Sequence, residues 1–209
     1  MNNSNFIKRW HIFISGYTQN RQQSTGLQKC WLDAQSNYNK DNKNPHNCCF
    51  FPVLPWNYDW YTLARFIQIN SNFAENHNEP PKINIYAYSW GAGYGATQLA
   101  KNLQKVANYY VQTMVLADPV ACAGFAGWKA IFAGRYAITR RFAPIIQIPK
   151  NIRNVYWSRQ YNNWPRAHSL HSSSSKTKIH SPHLESSLIH AEMDDSPWFQ
   201  DKVKEFTSA

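Results

Sequence analysis

Hydrophobic residues in this chain form short runs that alternate with stretches of helical periodicity. Five apolar runs have the length and composition of buried strands, and turn-forming residues bound most of them. They cover 10–14, 48–53, 82–88, 111–117 and 152–157. Helical spacing or composition is found at 27–34, 56–69, 96–106 and in a last segment that ends at Phe206. Asp195 or Ser196 is expected to cap that last helix, because Pro197 suits its first turn.

This alternation predicts an α/β fold with a mostly parallel sheet, since parallel strands need crossover connections of about this length. A length of 209 residues suits one domain with a sizeable core, and no linker divides the chain, so we predict a single domain over 1–209. Three segments interrupt the pattern. The polar stretch 37–47 predicts turns, 120–150 an insertion over the carboxyl edge of the sheet, and 162–182 a mobile loop.

One serine stands where a predicted strand gives way to a predicted helix. Ser89 follows the run 82–88, with Ala87 two positions before it and Gly91 two positions after it. A serine at the tip of such a turn projects its hydroxyl clear of both elements, and the helix N-terminus lies under a developing oxyanion. Small flanking residues let the neighbouring backbone pass close by. The pattern therefore indicates a nucleophilic serine.

The A-x-S-x-G pattern at 87–91 resembles the nucleophile elbow of α/β-hydrolases, including small bacterial lipases whose elbow also begins with Ala. The resemblance implies a compact version of the three-layer α/β-hydrolase fold and the activity of a serine esterase, lipase-like or thioesterase-like. It also implies that the acid and then the histidine follow the serine along the chain. The insertion at 120–150 would then be lid-like.

Asp118 is the candidate acid. It ends the predicted strand 111–117, so parallel pairing with the strand before Ser89 would bring both side chains to one edge of the sheet. The segment 116–119 also resembles the sequence around the catalytic Asp of pancreatic-type lipases. Alternatively, Asp118 only caps a turn before Pro119.

Five of the eight histidines fall between positions 168 and 190. His190 lies just before the last helix and resembles the catalytic histidine of the family in position and surroundings, so it is the candidate base. His168 and His183 are the alternatives. Asp194 and Asp195 are second choices for the acid, because they follow His190 and suit helix capping.

The resemblance also implies an oxyanion hole built from two backbone amides. Trp90, directly after the serine, would supply the first amide. Tyr17 would supply the second, with Thr18 as its alternative, since Gly16 lets the backbone approach a substrate closely. An ordinary turn after the first strand would have the same sequence.

The net charge of +10 is concentrated in one part of the chain. Between positions 119 and 184 there are ten basic residues and no Asp or Glu. This basic segment would either face an anionic membrane surface or anionic substrate, or form a solvated face. Its interleaved aromatic residues also suit nucleic acid, which we do not expect as a partner.

Metal and cofactor chemistry has little support in the sequence. The cysteines lack C-x-x-C spacing and are predicted to be buried free thiols; they are Cys30, Cys48, Cys49 and Cys122. The pair His180 and His183 has no nearby acidic ligand. Neither a signal peptide nor a membrane-spanning apolar stretch is recognisable, so a cytoplasmic protein is expected.

Two other functions remain open at this point. The segment 91–96 fits the G-x-G-x-x-A pattern of a dinucleotide-binding turn, with Asp118 as the ribose-binding acid, but 88–90 intervene between strand and glycine. A hydrolase-like scaffold without catalysis could instead act as a binding protein through its basic segment. Acyl specificity and the choice between ester and thioester cannot be derived from the residues.

Overall fold

Strands and helices alternate along the chain as the hydrophobic pattern predicts. A computed structural model describes residues 7–17, 26–41, 47–71, 80–120 and 145–208. The strands are β1 (Arg9–Ile14), β2 (Cys48–Phe50), β3 (Lys82–Tyr88), β4 (Val111–Ala117), β5 (Ile146–Gln147), β6 (Ile152–Gln160), β7 (Leu170–His171), β8 (Lys178–Ile179) and β9 (His183–Glu185). The α-helices are α1 (Gly26–Asp41), α2 (Trp60–Ser71), α3 (Ala96–Ala107) and α4 (Pro197–Thr207).

The main sheet has the strand order β2-β1-β3-β4-β6-β8, and β9 pairs with the later part of β6. Every strand pairing in the described part of the chain is parallel, including the separate pair β5 and β7. The predicted α/β class with a mostly parallel sheet is therefore confirmed.

Helices cover both faces of the sheet, which explains why its central strands are nearly continuous apolar runs. Side chains on one face of β1 and β3, such as Ile12 and Ile85, pack with α2 and α3. Side chains on the other face, such as Phe13 and Tyr86, pack with α1 and α4. These two hydrophobic clusters hold the sheet between two helical layers.

The structure corrects the boundary of the first helix. Residues 37–41 continue α1, although their polar composition predicted turns. Leu27, Cys30 and Ala34 form a buried stripe along α1, and the Asn- and Gln-rich remainder forms its other faces. A helix anchored through one stripe tolerates many polar residues elsewhere, and that anchoring depends on tertiary packing.

The other two segments that interrupt the alternation, 120–150 and 162–182, are described to different extents. The segment 162–182 contains the short strands β7 and β8. Two-residue strands carry too little sequence pattern to be predicted, and the mobility of this segment stays a prediction. Most of the proposed lid-like insertion, 121–144, lies outside the described residues.

Cys30 is a buried free thiol, as predicted, whereas the free thiols of Cys48 and Cys49 are only partly buried, and Cys122 lies outside the described residues. Burial raises the pKa of Cys30 and Cys48 to about 12 and that of Cys49 to about 11. In the part of the chain that is described, no helix has the length and apolar character needed to cross a bilayer.

Candidate active site

Ser89 and Asp118 lie side by side at the carboxyl edge of the sheet. The last residues of β3 and β4, Tyr88 and Ala117, are register partners, and each is followed directly by one of the two side chains. The prediction that these strands are parallel neighbours is confirmed. Both residues have left-handed backbones, with φ of 54° at Ser89 and 43° at Asp118. This is an uncommon conformation for non-glycine residues and is enriched at functional turns.

The turn at Ser89 passes close to β1. A Cβ atom at Gly91 would lie only 2.6 Å from the carbonyl oxygen of Ile14, the last residue of β1. The glycine of the A-x-S-x-G pattern is therefore required by a close approach of backbone to backbone. From Gly91 to Gly95 the chain forms a π-helix that leads directly into α3.

His190 connects Ser89 to Asp118. Its Nε2 lies 2.8 Å from Ser89 Oγ, and its Nδ1 lies 2.5 Å from Asp118 Oδ2. Ser89 is 5% exposed and Asp118 is fully buried. A neutral imidazole that donates from Nδ1 to the carboxylate presents an acceptor at Nε2 to the hydroxyl, which is the arrangement that activates a serine.

The Asp118 carboxylate is held by three further hydrogen bonds. Oδ1 accepts from the backbone amides of Gln160 and Ala167 at 3.2 and 3.1 Å. Oδ2 accepts from the Gln160 side-chain amide at 3.1 Å. A buried carboxylate with this many donors is fixed in orientation.

Gln160 and Asn163 support the site and were not identified from the sequence. Gln160 is fully buried, and its amide also bonds the backbone of Asn163 and Pro165. Asn163 Oδ1 accepts the backbone N–H of His190 at 2.7 Å. The sequence predicted the strand only to Trp157, so Gln160 was not recognised as the end of β6, the neighbour of β4.

A short 3₁₀ helix, His190–Asp195, holds the histidine in place. The Tyr88 hydroxyl donates to the carbonyl of His190 at 2.8 Å. The buried Asp194 accepts the amide of Leu27 at 3.1 Å, so it serves the first turn of α1. Ser196, one of the two residues predicted to cap this helix, caps α4 by accepting the backbone N–H of Phe199.

The alternative histidines have other partners. The backbone N–H of His168 donates to the carbonyl of Pro119 at 2.8 Å. Burial lowers the pKa of His168 to about 4, with the positive charge of Arg159 acting in the same direction and Asp118 opposing it. His183 pairs with Glu185 at 3.3 Å and stacks on Trp198. The hydroxyl of Ser89 instead pairs with Nε2 of His190.

The turn after β1 lies against the serine. A Cβ atom at Gly16 would be 2.9 Å from Cβ of Ser89, so Tyr17 follows a residue that packs against Ser89. The rings of Tyr17 and Trp90 have centroids 4.5 Å apart. Tyr17 and Trp90 are thus near Ser89 in the fold, their role as oxyanion donors stays a prediction, and Thr18 lies outside the described residues.

The basic segment is described only in part. Four members, Lys129, Arg135, Arg140 and Arg141, lie outside the described residues. Of the others, Arg153 lies over the ring of Tyr110, and Arg159 over those of Trp157 and Tyr161. Among the residues that the structure covers, no cluster of His, Cys, Asp and Glu could hold a metal ion.

Comparison with protein-family models finds no match to this chain. A search of curated proteins likewise finds no similar sequence.

Proposed function

We propose that this protein is a serine hydrolase of the α/β-hydrolase type that cleaves carboxylic esters or thioesters. Ser89 is the nucleophile, His190 the general base and acid, and Asp118 the residue that orients His190. The observation that carries the proposal is the continuous hydrogen-bonded chain from Ser89 Oγ through both ring nitrogens of His190 to Asp118, at 2.8 and 2.5 Å.

The first step forms an acyl-enzyme. Ser89 Oγ attacks the carbonyl carbon of the substrate while its proton passes to Nε2 of His190. The negative charge moves to the carbonyl oxygen, where the amides of Trp90 and Tyr17 would donate hydrogen bonds. When the tetrahedral intermediate collapses, the bond to the alcohol or thiol breaks, and His190 returns the proton to that leaving group.

The second step releases the acid. A water molecule gives a proton to Nε2 of His190 and attacks the acyl carbon, and collapse of this intermediate returns the proton to Ser89 Oγ. Asp118 stays ionised throughout and stabilises the imidazolium that forms twice in each cycle. Its burial and its donors from Gln160 and Ala167 suit this role.

Covalent labelling tests the proposal. We expect a fluorophosphonate probe to modify the protein at Ser89, and the label to be absent from Ser89→Ala. Hydrolysis across a panel of esters and thioesters of varied acyl length should fall by about three orders of magnitude or more in Ser89→Ala and His190→Ala. Ser175→Ala, which changes an exposed serine, is the matched control and should keep both label and turnover.

The competing function is a hydrolase-like scaffold that binds a partner without catalysis. Folded wild-type protein that neither takes up the probe nor hydrolyses any member of the panel would favour the scaffold. Near-normal hydrolysis by His190→Ala would show instead that another group is the base.

A further inference from the structure

Four aromatic side chains form one surface beside Ser89, hereafter the aromatic surface; they are Tyr17, Trp56, Trp90 and Tyr94. They come from the turn after β1, the loop between β2 and α2, and the turn and π-helix after β3. The centroid of the Trp56 ring lies 5.0 Å from that of Trp90, 5.9 Å from Tyr17 and 6.0 Å from Tyr94. These are distances of direct ring contact, so the rings make one continuous face.

The aromatic surface is not part of either hydrophobic cluster that covers the sheet. Tyr17 is 60% exposed, and Trp56, Trp90 and Tyr94 are each partly exposed. Large rings normally contribute to stability by being buried, and contiguous exposed ones are characteristic of binding sites. This group lies directly beside the candidate nucleophile.

The segments that carry the aromatic surface contain no charged residue. There is no Asp, Glu, Lys or Arg within 10–17, 47–57 or 83–100. The one histidine in these segments, His11, is buried, and that burial together with the charge of Arg9 lowers its pKa to about 3, so it is neutral at physiological pH. These three segments therefore supply no ion-pair partner to the face, which suits an uncharged group.

We propose that the aromatic surface binds an uncharged aryl group of the substrate by ring stacking. This inference rests on the proposed function, because it takes Ser89 as the point where the ester is held. Stacked ring pairs gain about 0.5–1.5 kcal/mol beyond the area they bury, which corresponds to about 3-fold to 10-fold in rate or binding. A saturated ring of similar size would bury a similar apolar area but would not gain the additional free energy of ring stacking.

Matched ester pairs test this preference. Ethyl phenylacetate and ethyl cyclohexylacetate place the ring in the acyl group, whereas benzyl acetate and cyclohexylmethyl acetate place it in the alcohol. We expect wild-type kcat/KM, followed by proton release, to favour the aryl member of one pair. Replacing Trp56 by Leu should lower that aryl-to-cyclohexyl ratio by about 3-fold to 10-fold.

A second test variant, Tyr94→Leu, is accompanied by two controls, Tyr94→Phe and Trp198→Leu. Tyr94→Phe keeps the ring and should keep the ratio, while Tyr94→Leu should lower it. Trp198→Leu removes a partly exposed indole that stacks on His183 and should leave the ratio unchanged. An unchanged ratio in both Trp56→Leu and Tyr94→Leu, for both ester pairs, would overturn the proposal.

A binding measurement separates this proposal from the proposed function. Phenylacetamide and cyclohexylacetamide are titrated into Ser89→Ala and into Ser89→Ala combined with Trp56→Leu, with ligand-observed NMR as the readout. Ester hydrolysis without an aryl preference would contradict the proposed aryl site but not the proposed hydrolase function. Trp56-dependent binding of the aryl amide, without any hydrolysis by wild type, would contradict the hydrolase function but not the aryl site.

Discussion

Two residues of the candidate site, Ser89 and Asp118, have backbone conformations that are uncommon for residues with a side chain. A left-handed backbone costs about 1–2 kcal/mol in an ordinary residue such as Ser89, and less in an aspartate such as Asp118. Their surroundings offset this cost. Asp118 accepts hydrogen bonds from two backbone amides and from the side chains of Gln160 and His190, and Ser89 accepts the amide of Val120 through its own carbonyl at 3.0 Å.

The side-chain amide of Gln160 helps to fix the orientation of Asp118. Gln160→Met keeps the length of the side chain but removes this side-chain donor, so Asp118 should orient His190 less well. We expect kcat to fall by about 10-fold to 100-fold, since a hydrogen bond to a charged group contributes about 1.5–3 kcal/mol. Steady-state ester hydrolysis and the rate of fluorophosphonate labelling measure this loss.

Gln147→Met is the control for Gln160→Met. Gln147 is exposed on β5, where its amide lies 3.2 Å from Nδ1 of His171. This control should keep both rates. Equal rates in Gln160→Met and wild type would show that the backbone donors alone orient Asp118.

At the element scale, the turn between β3 and α3 depends on the position of β1. Gly91 lies in a helical segment, where Ala is usually favoured over Gly by up to about 1 kcal/mol. Here the added Cβ would meet the backbone of β1, which cannot shift cheaply because it pairs with strands on both sides. The clash of the added Cβ with this backbone therefore costs more free energy than the higher helix propensity of Ala gains.

Gly91→Ala should therefore destabilise the protein by about 1–3 kcal/mol and slow the labelling of Ser89. Chemical denaturation gives the first quantity and probe kinetics the second. Lys101→Ala, on the exposed surface of α3, is the matched control and should change neither by much. A Gly91→Ala variant as stable as wild type would show that the turn can move away from β1.

At the scale of the whole molecule, buried histidines make stability depend on pH. His11 is 1% exposed, stacks on Phe50, and has Nδ1 3.0 Å from the hydroxyl of Tyr86. Burial and the charge of Arg9 lower its pKa to about 3, against 6.5 for a free histidine. Below pH 6.5 the unfolded chain binds a proton that the native state excludes. The contribution of neutral His11 to the free energy of unfolding is therefore complete above pH 6.5 and is lost as the pH falls toward its native pKa.

We expect the free energy of unfolding to drop by about 3 kcal/mol between pH 7 and pH 4 through His11 alone. In His11→Phe this drop should be absent, although the variant should be less stable at pH 7 because the Tyr86 hydroxyl loses its partner. Denaturant titrations at several pH values measure both effects. His171→Gln, at an exposed position, should keep the wild-type dependence, and a His11→Phe curve parallel to wild type would contradict the argument.

Much of this architecture could be predicted from local pattern. The bounds of β3 and β4 are those of the apolar runs, and each run is followed directly by a residue of the candidate site. Parallel neighbours end at one edge of a sheet. Because Ser89 and Asp118 each follow one of two consecutive strands, their positions were enough to predict that they share that edge. The catalytic roles of Ser89, Asp118 and His190 stay predictions.

Other features depended on contacts between distant segments, which leave no local trace. Gln160 and Asn163 are ordinary polar residues until β6 packs beside β4 and brings them under Asp118 and His190. The role of Asp194 at the start of α1, and the aromatic surface built from three separate segments, arise in the same way. Hydrophobic periodicity and chain order are local properties, so the alternation of elements and the order of the candidate residues follow from the residues alone. The polar groups that support the site and the rings that border it depend on strand order and packing, so they become visible only in the folded protein.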